Sequence, residues 1–538
     1  MQTPRNPSPD SNVDSPALPR LRRHLQRADS YLAMGQRSAA IASLEQALQI
    51  KADHVPALLK LAEVQLAEGR NHAARAAAIQ ATTGHIDSPL TALNLLRVLS
   101  SLSESGLMIE IARQLPPPMW DSAKSLAEVA QELSLIGAHE LAREYAYAGL
   151  ARDPRHPPSR YMCATLDVFY GDLAAAAEHA QRCLEILPED PSAHWLLSRT
   201  RVPGAEQRVA AIERALVHAP KGESEAWLAY ALHNELHDLR DYDRAWQALE
   251  RGCRAKRETL QYRQADSDAL FDALCAWQAE ETGVVSGYLD PLLTPLFVIG
   301  LHRSGTTLAE RILSGHSAVT AGGETYDIRA QLRRASGLHF SGDLDAQVVR
   351  ARHTLDYGAI GLGYLQGMAW RARGARCVTD KLPSNYFNVG FIARALPAAR
   401  FICLSRDPID VGLSSLRTLF SSACPYSYDQ TEYVAHYRNY LRLMAHWREQ
   451  FPDRILDIAY DELVNAPERS AARMAHFCGL DYEPAMVQIE SRSDAVATAS
   501  SVMMRDGIRR DRGRVWAAYE AQLQPMIEAL GAGPAAMS

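Results

Sequence analysis

Along the first half of the chain, apolar positions recur with helical spacing and glycine interrupts them at a fixed interval. Gly35 and Gly69 lie 34 residues apart, and Gly137 and Gly171 repeat that interval. Each glycine closes an apolar segment, as in YLAMG, QLAEG and VFYG. Alanine follows five residues later (Ala40, Ala74, Ala142, Ala176), and another small residue twelve later (Ala47, Ala81, Gly149, Cys183). Small side chains at those places let a second helix pack closely against the first. Prolines follow, as at Pro56, Pro154 and Pro188, where a helix cannot continue. The pattern predicts a series of helical hairpins, which must stack because one pair cannot bury its own apolar face.

From about Ser88 to Ala123 the helical character persists but the interval is lost, and residues 200–250 are again helical in pattern. After about Asp290 the period changes. The β-rich runs PLFVIGL, RCVTD, RFICLSR and ILDIAY alternate with amphipathic segments such as SNYFNVGFIARAL. Strands separated by helices predict a parallel sheet covered on both faces. The expected organisation is a tail over 1–20, a helical repeat domain over 21–265, a linker over 266–289 and an α/β domain over 290–538. The fold class is thus an α solenoid followed by α/β. The 34-residue period with its glycine and alanine positions resembles the tetratricopeptide repeat.

Composition narrows the function. A net charge of -6 gives no global basic field for nucleic acid. The eight cysteines form no C-x-x-C pair, so neither a zinc site nor a disulfide scaffold is suggested. The first twenty residues hold five prolines and no apolar core, unlike a signal peptide. The apolar run near Leu292–Leu301 is too short to span a bilayer. A cytoplasmic protein without membrane or nucleic-acid partners is expected.

The candidate chemistry begins in PLFVIGLHRSGTTLAERIL, residues 295–313. This is nearly the phosphate loop G-x-x-x-x-G-K-[ST], but Thr306 stands where the lysine belongs. A strand-to-helix loop aims N–H groups and the positive helix end at an anion. Arg303, Ser304, Thr306 and Thr307 add donors, with no carboxylate between them. Without the lysine that serves the outer phosphates of ATP, the ligand should carry less charge at its reacting end.

On this loop and on RFICLSRDPIDVGLSSL, the chain over roughly 290–520 resembles the sulfotransferases that use 3′-phosphoadenosine 5′-phosphosulfate (PAPS). The resemblance to the tyrosylprotein branch and its bacterial relatives with tetratricopeptide repeats is particularly close. The resemblance implies that Arg303, Ser304, Gly305, Thr306 and Thr307 hold the phosphosulfate and that Arg406 and Ser414 hold the 3′-phosphate. It implies Glu324, in GGETYDIRA, as the base, Lys381, in CVTDKLPSNYF, on the transferring group, and Tyr460 near the adenine. In the arginine-rich segment ATASSVMMRDGIRRDRGRVW it implies a serine at the reacting centre, Ser500 or else Ser501, and a basic residue on the nucleotide, for which Arg514 is chosen. No metal is implied. The acceptor is a hydroxyl on a protein, peptide or small molecule, selected by the repeats, which are not expected to build the nucleotide site.

Plainer roles exist for the same residues: Arg406 paired with Asp407, Lys381 a surface lysine beside Asp380, Glu324 a carboxylate at a helix N-terminus, Tyr460 a buried strand tyrosine. Two positions depart from the family: His302 where proline is common, and Tyr326 where the tyrosylprotein branch carries an arginine for acidic peptides. His233 and His237 in HNELH share a helix face but lack the H-E-x-x-H order of zinc proteases, and are read as surface residues. The rival readings are an ATP- or GTP-dependent phosphotransferase, in which Asp407 would serve the metal, and a non-catalytic scaffold that binds nucleotide.

Overall fold

The computed structural model describes residues 17–278, 293–420, 422–490, 492, 495–497, 508 and 515–531. Two compact units emerge: Met1–Leu102 with Gly337–His339, and Ser103–Ser336 with Phe340–Ser538.

The first unit contains the helices Ala17–Ala33, Arg37–Ile50, Val55–Ala67, Asn71–Thr82 and Pro89–Ser101. Gly35 and Gly69 turn the chain between paired helices at φ +72° and +73°, where a side chain would be strained. Ala40, Ala47, Ala74 and Ala81 are all fully buried, as close helix pairing requires. The expected tail therefore ends earlier than residue 20, because Ala17–Ala33 is helical and buries Leu21.

The second unit continues the hairpins. Gly137 and Gly171 again turn at positive φ, and Ala142 and Ala176 are fully buried. A Cβ on Gly149 would lie 2.8 Å from Ser159 Oγ, so the small residue there is a packing requirement. The residues expected as a linker open inside another helix, Gln264–Cys275, which buries Phe271 and Leu274. Its Asp268 accepts from Asn439 Nδ2 at 2.6 Å, which joins it to the long helix Gln430–Gln450.

The sheet has five parallel strands: β1 (Thr294–Gly300), β2 (Val319–Thr320), β3 (Cys377–Asp380), β4 (Arg400–Ser405) and β5 (Ile455–Ala459). Their order is β2-β3-β1-β4-β5. The four strands expected from the β-rich runs are present. The fifth, β2, is two residues long and shows no run of its own. Six of the seven residues of β1 are buried, as strands covered on both faces are. After β1 the chain fills one side of the sheet, then crosses to β4 on the other. A topological switch point of this kind leaves a crevice at the carboxyl ends of the strands. Among the described residues, no helix is long and apolar enough to cross a membrane.

Candidate active site

The chain leaves β1 at Gly300 and enters the helix Thr306–Leu313 through five residues. A Cβ on Gly300 would stand 2.7 Å from Leu404 O, so glycine lets the loop start against β4. Arg303 holds φ +73°, a left-handed conformation uncommon for a residue with a side chain. Its Nε donates to Ser414 Oγ at 2.9 Å, across 111 residues of sequence. The two motifs read separately in the sequence thus meet in one place. Burial, with the nearby charges of Arg406, Arg199 and Arg417, pushes the Arg303 guanidinium down to about 10. Ser304 Oγ is buried and has no hydrogen-bond partner in the protein.

Arg406 follows β4 directly. Its Nη2 donates to Asp410 Oδ2 at 3.3 Å, its guanidinium lies 4.5 Å from the centre of the Tyr460 ring, and its buried Nε has no protein partner. Tyr460 opens the helix Tyr460–Asn465 and is not on a strand. Its ring lies so close to Gly305 that a Cβ there would collide with it. Asp407 is not paired with Arg406: its Oδ1 caps the helix Pro408–Leu416 by accepting from Ile409 N (2.8 Å) and Asp410 N (3.0 Å). The phosphotransferase reading needs that carboxylate for a metal.

Glu324 and Lys381 form the other edge. Gly322 lies against β3 so closely that a Cβ would strike Thr379 O, and Gly323 turns at φ +73°. Lys381 N donates to Gly323 O at 2.9 Å, and Gly323 N donates to the buried Glu310 Oε1 at 3.0 Å. The next residue, Glu324, is thereby held at the carboxyl end of β3. Lys381 is no surface lysine: it is fully buried, and its Nζ donates to Glu324 Oε1 at 2.5 Å. Asp380 serves other donors, Thr325 Oγ1 (2.9 Å), Tyr364 Oη (3.0 Å) and Asn385 Nδ2 (3.1 Å), and burial pushes its carboxyl up to about 7. His302 faces this edge too; burial, then the Lys381 and Arg303 charges, lower it to about 4, against the opposing pull of Glu324.

Residues 295–484 match the model of the sulfotransferase family, and residues 31–83 match that of the tetratricopeptide repeat. The chain carries a sulfotransferase-family domain behind a tetratricopeptide-repeat region. An "Uncharacterized protein" of Aquifex aeolicus (strain VF5) is 28% identical over 320 residues, 58% of this chain and 42% of that protein. The chain thus spans less than half the length of that relative. A protein of Caenorhabditis briggsae named "Putative protein-tyrosine sulfotransferase" is 25% identical over 192 residues, 36% of this chain and 68% of that protein. Among solved structures, the sulfotransferase domain from the curacin biosynthetic pathway is 17% identical, with a TM-score of 0.30, covering 44% of this chain and 97% of that one. A tetratricopeptide repeat protein from Parabacteroides merdae ATCC 43184 is 14% identical, with a TM-score of 0.35, covering 46% and 95%.

The sulfotransferase domain is not self-contained around its anion loop. Arg199, at the end of the helix Pro191–Arg199 and outside residues 295–484, adds its charge near Arg303 and stacks 4.6 Å from the Trp195 ring centre. Tyr230 Oη of the helix Glu223–Asp238 donates to Leu416 O at 2.8 Å, at the end of the helix that carries Ser414. His233, read from the sequence as a surface residue, is fully buried. Its Nε2 accepts from Arg417 Nε at 2.8 Å, and its Nδ1 donates to Ala245 O at 2.8 Å. Burial, followed by the Arg417 charge, keeps the ring well below its ordinary value, consistent with a neutral imidazole that accepts from a guanidinium. His237 binds Tyr519 Oη at 2.8 Å. No local signal in HNELH announces these partners, which lie 184 and 282 residues away. Ser500, Ser501 and Arg514 lie outside the described residues.

Proposed function

We propose that the chain moves a sulfuryl group from PAPS to a hydroxyl group, with Glu324 as general base. The observation that carries this reading is the pair formed by the buried Lys381 and Glu324, 2.5 Å apart, at the rim of a loop charged by Arg303 and Arg406. Such a site suits a ligand with several anionic oxygens and one reacting centre beside the carboxylate. The unpartnered Ser304 Oγ and Arg406 Nε supply donors for that ligand. A buried polar group without a partner is destabilising until a ligand or water satisfies it.

PAPS supplies an activated sulfuryl group on a phosphate leaving group. Arg303, Ser304, Gly305, Thr306 and Thr307 hold its 5′ end by loop donors and the helix N-terminus. Arg406 and Ser414 hold the 3′-phosphate, where a guanidinium fork is the suitable cation. Tyr460 offers a flat face beside Gly305 for the nucleoside. Lys381 places a compact positive charge where the leaving oxygen gains charge. Glu324 takes the hydroxyl proton, a role for which its position between Lys381 and open space is suited. The pair shares one hydrogen bond, so the carboxylate keeps its second oxygen for the acceptor. The described cysteines are all free thiols, which fits the cytoplasm. The repeats serve the acceptor or a partner protein.

Thermal shift tests this reading. Adenosine 3′,5′-bisphosphate at a hundredfold excess over its Kd should stabilise the protein by about 2.7 kcal/mol. ATP with magnesium should give far less. Stabilisation by ATP with magnesium alone would favour a phosphotransferase. Incubation with labelled PAPS and a cell extract then reports whether label is transferred.

A further inference from the structure

A cavity of about 890 Å³ opens on Glu324, and nearly half of its lining residues come from the helical hairpins between Ala123 and Tyr170. On one side stand Gly322–Glu324 and the helix Thr306–Leu313. Opposite stand the repeat helices Ala123–Leu135, His139–Arg152 and Pro157–Tyr170, which contribute Gln131, Tyr161, Thr165 and Phe169 among others. Trp370 and Tyr326 add further aromatic surface. The volume falls in the range of about 300–1,000 Å³ usual for small-molecule sites.

The walls are joined, not merely adjacent. Arg371 donates from Nη2 to Ile136 O at 2.5 Å, at the end of a repeat helix, and from Nη1 to Gly322 O at 3.4 Å, two residues before Glu324. Val496 N donates to Phe169 O at 2.9 Å. The helices Ala123–Leu135 and Pro157–Tyr170 are therefore held beside the reacting edge of the sheet.

Charge decides what the cavity accepts. Its guanidiniums are already engaged: Arg371 as above, Arg311 with Arg492 O at 2.7 Å, and Arg373 with Glu140 at 3.5 Å. Glu128, Glu140 and Glu324 put carboxylates on the wall. Among the described wall residues each guanidinium has a partner, Arg373 in an ion pair with the wall's own Glu140, and Glu324 is paired with Lys381, so a ligand with carboxylates beside its hydroxyl meets no concentrated positive charge there. Aromatic and threonine side chains instead offer an apolar bed with isolated hydrogen-bonding groups.

We propose that this cavity is the acceptor site, built jointly by the repeats and the sulfotransferase domain, and that it takes an uncharged hydroxyl compound with an aromatic body, not an acidic peptide. The proposal rests on the sulfotransferase reading given above. In the transfer, the acceptor oxygen forms the new O–S bond while the S–O bond to the nucleotide phosphate breaks. The electron pair of that bond leaves on the phosphate, and the hydroxyl proton passes to Glu324. Thr165, on the repeat wall, sets the depth available to the acceptor body.

The test uses the full chain with 2-naphthol, a neutral aromatic alcohol, and with a tyrosine peptide flanked by glutamates. At saturating PAPS, 2-naphthol should be sulfated with the higher kcat/KM. Thr165→Trp, which fills the cavity, should raise KM for 2-naphthol at least tenfold, with kcat within threefold. Calorimetry with adenosine 3′,5′-bisphosphate should show unchanged affinity in this variant, which also reports that it is folded. A preference for the acidic peptide overturns the proposal. So does an unchanged KM in a Thr165→Trp protein that binds the nucleotide normally, or absence of 2-naphthol turnover in a parent protein that binds the nucleotide. A parent protein that does not bind adenosine 3′,5′-bisphosphate overturns the sulfotransferase reading itself, and this inference with it.

Discussion

The two sides of the reacting centre are built differently. The proposed nucleotide side comes chiefly from short segments that each leave a strand end: the loop after β1, Arg406 after β4, and Tyr460 after β5. Backbone geometry fixes these residues, so their spacing is written locally in the sequence. The proposed acceptor side is made of side chains on helix faces, with Tyr161 and Thr165 lining a cavity shared with Glu324 and Trp370. Helix faces impose no motif. On the proposed reading, anion binding sits on the sheet edge, where backbone geometry constrains the residues, while acceptor binding sits on stacked helices, where it does not.

Several substitutions would break or sharpen this division. Glu324→Gln has the largest expected effect. The amide keeps the shape and still accepts from Lys381, but it is no base. Turnover should fall by roughly 10²–10⁴-fold, with affinity for adenosine 3′,5′-bisphosphate within a few-fold, as steady-state rates and calorimetry would show. Near-full activity across a pH series would remove Glu324 from the role. Lys381→Met should slow kcat by about 10²–10³-fold, comparable with loss of a donor to developing charge, and weaken nucleotide binding much less. Equal losses would make Lys381 a ground-state binding residue.

Arg406→Ala acts the other way round. Losing a hydrogen bond to a charged group is worth about 1.5–3 kcal/mol, or roughly 10–100-fold in nucleotide affinity. KM for the acceptor should stay as it was. Arg199→Ala is the sharper probe, because Arg199 lies outside the matched sulfotransferase residues 295–484 yet its charge reaches Arg303. A loss of about 2–5-fold in nucleotide affinity, shrinking with added salt, is expected of a charge acting at a distance. No change at any ionic strength would return the nucleotide side wholly to the sulfotransferase domain.

What the sequence disclosed follows the same line. Gly35, Gly69, Gly137 and Gly171 revealed the hairpins because each turn needs positive φ, a demand visible in one residue. Gly300 and Gly322 stand where a neighbouring backbone oxygen leaves no room for a Cβ, and Gly305 where the Tyr460 ring does. Strand β2 escaped because two residues, Val319 and Thr320, carry no alternation. The helix Gln264–Cys275 hid behind a polar first turn and buries only Phe271 and Leu274. Tyr460 lay one residue beyond β5, a boundary that composition does not resolve. His233 was misread because the Arg417 that meets it lies 184 residues away, and Arg199 was missed because proximity to Arg303 is a property of the packed chain. Contacts of this kind span more than a hundred residues and leave no local trace.

Asp380 should have the least effect on turnover of these residues, yet it reports on the same strand end. It precedes Lys381 and holds three donors without joining the Lys381–Glu324 pair. Burial raises its carboxyl from the ordinary 3.8 to about 7, helped by the nearby charge of Asp327 and opposed by its hydrogen bonds from Thr325 and Tyr364. Below about pH 4 the group is protonated in both folded and unfolded chains. Between about pH 4 and 7 the unfolded chain has released that proton while the folded chain keeps it. Stability from this group is therefore fully present at low pH and is lost as pH rises to 7, by at most about 1.4 kcal/mol per pH unit. Above pH 7 the contribution is flat. Asp380→Asn removes the titration while retaining a carbonyl oxygen, and the Thr325 and Tyr364 hydroxyls can rotate to suit the amide. Glu310 and His302 titrate in parent and variant alike, so the difference between the two curves isolates Asp380. Thermal midpoints measured from pH 5 to 8 should show the parent losing ground to Asp380→Asn up to pH 7 and then running parallel, with kcat within a few-fold. Curves parallel from pH 5 onward would mean that Asp380 is already ionised in the folded protein, and that Arg371 outweighs burial at the end of β3.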